Sequence, residues 1–276
     1  MRWAYIIDES EVTHISGNNC HFLESEITEV NTKTKEQEIS GVDGVLVGSN
    51  TFDPFDLTLK FYYDGVDNSD LILFTEKIKR IIHTRNPMYV THSEMPGRKY
   101  AFNSAKIEWE KITNSDVTFS IVFNCFKGYS ESLYDTDQFS LGDGSWQFES
   151  GLFPDSSTSY RHNTQMFEIL NGSSDTINPR QRHKLKIVIR LNTSKGFKLV
   201  NKTTGDIFEF KSDLDINRQL TIDGGYPYIQ VNDVRSRCGR LTNHGLITLA
   251  PGKNKFEIWG TVTDLDIQFI FPFIYR

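Results

Sequence analysis

Asp67-Asn68-Ser69-Asp70-Leu71-Ile72-Leu73-Phe74-Thr75-Glu76-Lys77-Ile78-Lys79-Arg80-Ile81-Ile82-His83 stands apart in a 276-residue chain that otherwise reads as strands. Leu71, Phe74, Ile78, Ile81 and Ile82 recur at three- and four-residue spacing, which puts them on one helical face. Asn68 or Ser69 supplies the N-cap, and Asp70 suits the positive end of the dipole. Lys77, Lys79, Arg80 and His83 lie late, where cations are favoured. Asn86-Pro87 ends the helix, because a residue before proline avoids the helical region. Burying six large apolar side chains, Ile72 included, contributes about 10 kcal/mol gross. The spacing therefore predicts one helix over 67–83, docked on a sheet. A loop follows at 87–100, Pro87-Met88-Tyr89-Val90-Thr91-His92-Ser93-Glu94-Met95-Pro96-Gly97-Arg98-Lys99-Tyr100.

Outward from the helix the period changes to two. Leu57, Leu59, Phe61 and Tyr63 alternate with Asp56, Thr58, Lys60 and Tyr62, which predicts a strand with one buried face. Gly41-Val42-Asp43-Gly44 and Gly48-Ser49-Asn50 read as turns around a short strand, 45–47. Strands resume at 101–109 and 117–123, the latter with Val117, Phe119, Ile121 and Phe123 inward. Periodicity fades from 129 to 158, where Gly, Ser and Asp accumulate. This predicts a first β domain over 1–135, a linker over 136–160 and a second domain over 161–276.

The second half reads as all-β. Leu185, Ile187, Ile189 and Leu191 share a face. A hairpin joins 197–200 to 207–210, and Asp223-Gly224-Gly225 turns 220–222 into 228–231. Pro251-Gly252-Lys253-Asn254 reads as a turn before a strand at 255–262. Leu265, Ile267, Phe269 and Phe271 line a final strand over 265–275. Turns every eight to twelve residues suggest a sandwich.

Composition narrows the class. The net charge is −6, with 30 Lys and Arg against 36 Asp and Glu, so no global nucleic-acid footprint exists. No basic n-region with an apolar run opens the chain, which argues against a signal peptide, and no run reaches the roughly 20 residues that span a bilayer. Cys20, Cys125 and Cys238 lack metal spacing and read as reduced thiols of a cytosolic product. Three sequons, at Asn171, Asn192 and Asn201, then read as chance matches.

Catalytic constellations do not assemble from the pattern. Histidines 14, 21, 83, 92, 162, 183 and 244 show no ligand spacing. Asp135, Asp137 and Asp143 lack the spacing and closing Glu of a calcium loop. Asp53 and Asp56 flank Pro54-Phe55 and read as a turn rather than an acid–base pair. Gly142-Asp143-Gly144 lacks the following helix of a phosphate loop. Two basic clusters, Arg180-Arg182-His183-Lys184-Lys186 and Arg235-Arg237-Arg240, read as charged hairpin edges that block unwanted strand pairing. No catalytic, cofactor or metal residue is assigned, and the reading is of a non-enzyme.

The order of these features carries a resemblance. Turn Gly41-Val42-Asp43-Gly44, strand Phe52-Asp53-Pro54-Phe55-Asp56-Leu57-Thr58-Leu59-Lys60-Phe61, one helix and the 87–100 loop come first. Gly205-Asp206, Leu220-Thr221-Ile222-Asp223 and Pro251-Gly252-Lys253-Asn254 follow. This resembles the distal tail protein (Dit) family of siphophages of Gram-positive bacteria, the siphovirus tail component family. The resemblance implies a mainly β fold: an N-terminal β domain with one docked helix that closes into a hexameric ring, and a C-terminal galectin-like or carbohydrate-module-like β-sandwich. It implies a hub in the virion tail tip or baseplate, made in the host bacterial cytoplasm. The implied partners are five further copies, the tail tube protein and the tail-associated lysin or tip protein, with DNA only as passing cargo and no membrane insertion. Receptor-binding proteins or cell-wall glycan are further partners it allows. Six copies at −6 each carry −36, and an acidic channel lining would let DNA slide. The alternative is a cell-wall carbohydrate module using Trp146, Tyr160, Tyr226, Tyr228 or Trp259; the favoured reading makes these core or interface residues.

Overall fold

The computed structural model describes residues 2–8, 11–140, 146 and 158–276. These divide into two compact units, 1–131 with Arg276, and 132–275. Of the expected linker, Thr136–Gln138 form a 3-10 turn, whereas 141–145 and 147–157, with Asp143 and the Gly142-Asp143-Gly144 motif, lie outside the described residues.

The first unit is built on β1 (Ala4–Asp8), β2 (Glu11–His14), β3 (Cys20–Ile27), β4 (Phe55–Asp64), α1 (Asn68–Ile82), β5 (Met88–His92), β6 (Arg98–Lys111) and β7 (Asp116–Cys125). Its strands pair antiparallel in the order β2-β1-β5-β6-β7-β4-β3. Alternation works as the period requires: Leu57, Leu59, Phe61 and Tyr63 of β4 are buried, as are Val117, Phe119, Ile121 and Phe123 of β7. The register sets Phe61 opposite Phe119, with ring centroids 5.1 Å apart.

The helix forms where the spacing puts it, with a different cap. Asp67 accepts the Asp70 backbone N–H at 2.8 Å, because its extended backbone lets the side chain reach back over the first turn. Leu71, Phe74, Ile78 and Ile82 are buried. Ile72 is 56% exposed, since it lies about 100° around the helix from Leu71 and so off the docked stripe. Phe74 stacks face to face on Tyr63, with centroids 3.7 Å apart.

The expected loop at 87–100 is mostly strand. Met88–His92 pairs with β1 and β6, and β6 begins at Arg98. Polar Thr91 and His92 are fully buried there, so the hydrophobic alternation that marks a strand is broken. The three cysteines are buried free thiols, and burial pushes Cys20 and Cys125 up to about 12, which keeps them protonated and unreactive.

The second unit is a β-sandwich. Its elements are β8 (Met166–Asn171), β9 (Lys186–Asn192), β10 (Phe197–Asn201), β11 (Ile207–Phe210), β12 (Gln219–Asp223), β13 (Tyr226–Val231), β14 (Val234–Arg237), β15 (Gly252–Trp259) and β16 (Thr263–Ile270). One sheet runs β16-β9-β12-β13-β14, with the short Arg161–His162 strand beyond β16; the other runs β8-β15-β10-β11. Ile187, Ile189 and Leu191 face inward, as do Ile267 and Phe269. Two boundaries move. The last long strand stops at Ile270, with Pro272 beyond it, and β15 begins at Gly252 rather than after Asn254. Asn254 explains the second shift. It is fully buried, accepts the Ala250 N–H at 2.9 Å and donates to the Ala250 carbonyl at 2.7 Å. Its side chain closes the turn while its backbone already pairs.

Two of the three sequons are turn chemistry. The Asn171 and Asn201 carboxamides accept from the backbone N–H of Ser173 and Thr203, two residues on, an Asx turn. Both residues are fully buried. The Asn192 amide donates to Asp264 at 2.6 Å and accepts the Ile216 N–H at 2.8 Å. Asn201 also donates to the Thr248 carbonyl at 2.8 Å and to Asn254 Oδ1 at 3.2 Å. Asn201→Ala orphans these buried groups and is expected to destabilise the second unit by about 2 kcal/mol. Calorimetric unfolding measures this, and a loss below about 0.5 kcal/mol would refute the buried role.

Candidate assembly surface

Residues 31–52 leave the first sheet as a hairpin arm. Thr32–Lys33 pairs with Thr51–Phe52, and Glu36–Glu38 with Val45–Val47. The tip turns at Gly41 and Gly44, both at positive φ, where glycine carries no Cβ penalty. Every residue of the arm is exposed, including Val42 at 63% and Leu46 at 60%, with Ile39, Val45, Val47 and Phe52. A lone two-stranded hairpin is marginal in water, and contiguous exposed apolar side chains mark a contact surface.

The outer side of α1 adds a second apolar area. Val66 is 82% and Leu73 70% exposed. Beside them a groove of about 1170 Å³ is lined by Trp3, Tyr5, His14, His21, Leu73 and Lys77, among others. Trp3 stacks on Tyr5 at 4.9 Å, and Tyr5 meets His14 at 5.5 Å. Asp70 pins the helix start: the Val66 N–H at 3.0 Å and the Tyr63 hydroxyl at 2.8 Å hold its carboxyl below the usual range.

The residues weighed for chemistry lie apart. Asp53 pairs with Lys33 at 2.8 Å, while Asp56 takes the Asn124 amide at 3.1 Å. Asp135 pairs with Lys184. His14 lies tilted against Tyr5 and His21 stacks on Tyr62, His162 stacks on Phe167 at 4.7 Å, and His83 caps α1. Buried His183 accepts the Asn178 N–H. His92 is fully buried, and both its ring nitrogens lack partners among the described residues. No group of three potential metal ligands occurs among the described residues.

Of the five aromatics considered for glycan, Trp146 and Tyr160 are buried around Phe139, 5.1 Å from each. Tyr226 and Trp259 are exposed, and Tyr228 lies half-buried under Arg235. Arg235 and Arg237 do occupy an exposed edge strand. Arg180 and Arg182 instead sit on and after a 3-10 turn, because Pro179 and the left-handed backbone of Arg182 prevent extension there. The arm itself was only partly visible in the sequence: its turns and central strand show, but its complete exposure does not.

Comparison with known proteins is consistent with a tail role. Residues 11–125 match the phage tail protein RIFT-related domain. No curated protein matches the chain in sequence. The Dit (gp 19.1) protein of phage SPP1, a hub adsorption apparatus protein of phages infecting Gram-positive bacteria, superposes with a TM-score of 0.64 at 13% identity, over 92% of this chain and 94% of that one. A chain of the phage P2 baseplate in its activated conformation with calcium superposes with a TM-score of 0.51 at 9% identity, over 98% of both. Residues 11–125 thus carry a phage tail protein RIFT-related domain, and the fold along nearly the whole chain is similar to that of the SPP1 Dit protein.

Proposed function

We propose that this protein is the hub of a siphophage tail tip: six copies close into a ring around the DNA channel, joining the tail tube to the tail-associated tip protein in the virion. The observation that carries this reading is the arm over 31–52. At its outer end Ile39, Val42, Val45, Leu46 and Val47 all stand exposed, at 44–63%, so a stable arm needs a second copy to lie on. Closed rings use one repeated heterologous contact, which a protruding arm meeting a distant face of the next copy supplies. The role is mechanical, and no substrate is assigned. Excess acid, −6 per copy, suits a channel that DNA slides through without ion release.

Light scattering on the purified chain tests this. The expected mass is about six times the 31.8 kDa of one copy, and a monomer at high concentration would count decisively against the ring. The arm is tested separately by replacing 32–52 with Gly-Gly. Asn31 and Asp53 already meet through a 2.9 Å backbone hydrogen bond, so the splice leaves the sheet intact. The expected product is a folded monomer; a ring that still forms would show that the arm does not hold it.

A further inference from the structure

The outer face of the second unit's larger sheet carries a transverse row of planar polar side chains. Gln219 of β12 lies opposite Gln230 of β13, and Gln230 lies opposite Arg235 of β14. Arg190 of β9 extends the row by donating to Gln219 Oε1 at 2.7 Å. Cross-strand partners point to the same side of a sheet, so Arg190, Gln219, Gln230 and Arg235 form a line about 14 Å long at strand spacing. A pocket of about 330 Å³ opens on it, rimmed by Ile216, Asn217, Asn232 and Asp233. From this row and pocket we infer a binding site for a neutral oligosaccharide.

Three features separate the site from ordinary solvated surface. First, it is oriented by a neighbour on the same face. Fully buried Thr221 takes the Gln219 amide N–H at 3.2 Å, which directs the Gln219 oxygen at Arg190. Second, Asn232 and Asp233 both hold positive φ, 44° and 66°, in a two-residue hairpin turn between Val231 and Val234. Glycine adopts that turn most easily, yet this turn places a carboxamide and a carboxylate at the pocket rim. Third, exposed Ile216 on the pocket rim adds apolar surface for the C–H face of a sugar.

The chemistry fits vicinal hydroxyls. Each carboxamide offers one acceptor and two donors, a guanidinium offers a fork of donors, and a carboxylate accepts from two hydroxyls. A hydroxyl pair both donates and accepts, so it matches amides better than an anion does. Asp233 on the rim disfavours a phosphate-bearing ligand. The length of the row exceeds one ring, which points to two or more sugar units.

Saturation-transfer NMR on the full chain tests the site with lactose, cellobiose and N,N′-diacetylchitobiose, and with glucose 6-phosphate as the charged arm. Transfer to at least one neutral disaccharide is expected, with a Kd of order millimolar. Gln230→Ala and Arg190→Ala are each expected to weaken that binding about tenfold or more, with an unchanged circular dichroism spectrum. Trp259→Ala, on the opposite sheet, is expected to leave it unchanged. Absence of transfer to all three disaccharides, equal binding by Gln230→Ala, or binding of the phosphorylated sugar alone would each overturn the inference. Ring formation is read separately by mass and does not enter this result.

Discussion

Phe74→Asp is expected to leave no folded first unit. Phe74 is buried, lies 3.7 Å from the Tyr63 ring and packs edge-on to Phe119 and Trp109 at 5.6 and 6.4 Å. Removing the ring from such a site costs about 3–5 kcal/mol, and an unpaired buried carboxylate adds several more. Domain stability totals only about 5–15 kcal/mol, so the sum is enough to unfold it. Circular dichroism and proteolysis of the purified variant measure the outcome. Phe74→Leu keeps an apolar side chain and is expected to remain folded. A Phe74→Asp protein with native protease resistance would show that α1 does not brace the sheet.

Acid is expected to cost the first unit about 3 kcal/mol through one histidine. Burial of His92 between Phe22 and Tyr100, at 5.8 and 5.7 Å, lowers its pKa to about 4, with the Glu94 charge opposing weakly. The unfolded chain titrates near 6.5. A depressed histidine contributes its full stability above about 6.5. That contribution falls by about 1.4 kcal/mol per pH unit until the folded group itself protonates near 4. The neutral ring leaves both nitrogens without a hydrogen-bond partner, so only the weak pull of Glu94 compensates the proton. Thermal unfolding of the wild type and of His92→Phe between pH 7.5 and 4.5 isolates this share, because the carboxylates titrate in both. The variant is expected to lose markedly less stability on acidification; parallel losses would assign the acid sensitivity to other groups.

Much of the architecture is legible in local pattern. Two-residue alternation over Leu57 to Tyr63 and over Val117 to Phe123 defines strands before any partner is known. The helical face from Leu71 to Ile82 is equally local. The Met88–His92 strand is not legible, because Thr91 and His92 bury polar atoms in a core position and so erase the alternation. Two of the three Asn-x-Ser/Thr triplets, read from the sequence as chance matches, hold Asx turns: the Asn171 and Asn201 amides are consumed inside the sandwich.

The assembly surface shows a second kind of limit. Val45, Leu46 and Val47 have the composition of a buried strand, and only their lack of a neighbour leaves them open. The polar row on the second unit is harder still: Arg190, Gln219, Gln230 and Arg235 come from four strands and share no motif.

The sequence by itself determined the fold class, the helix, most strand faces and the turns, because period and turn chemistry act within a few residues. The tertiary structure alone decided strand register, the isolation of His92, the bareness of the arm and the meeting of the Arg–Gln–Gln–Arg row. These depend on pairing between segments distant in the chain, as Ala4 with His92, and a one-residue slip in register would turn every such side chain to the other face.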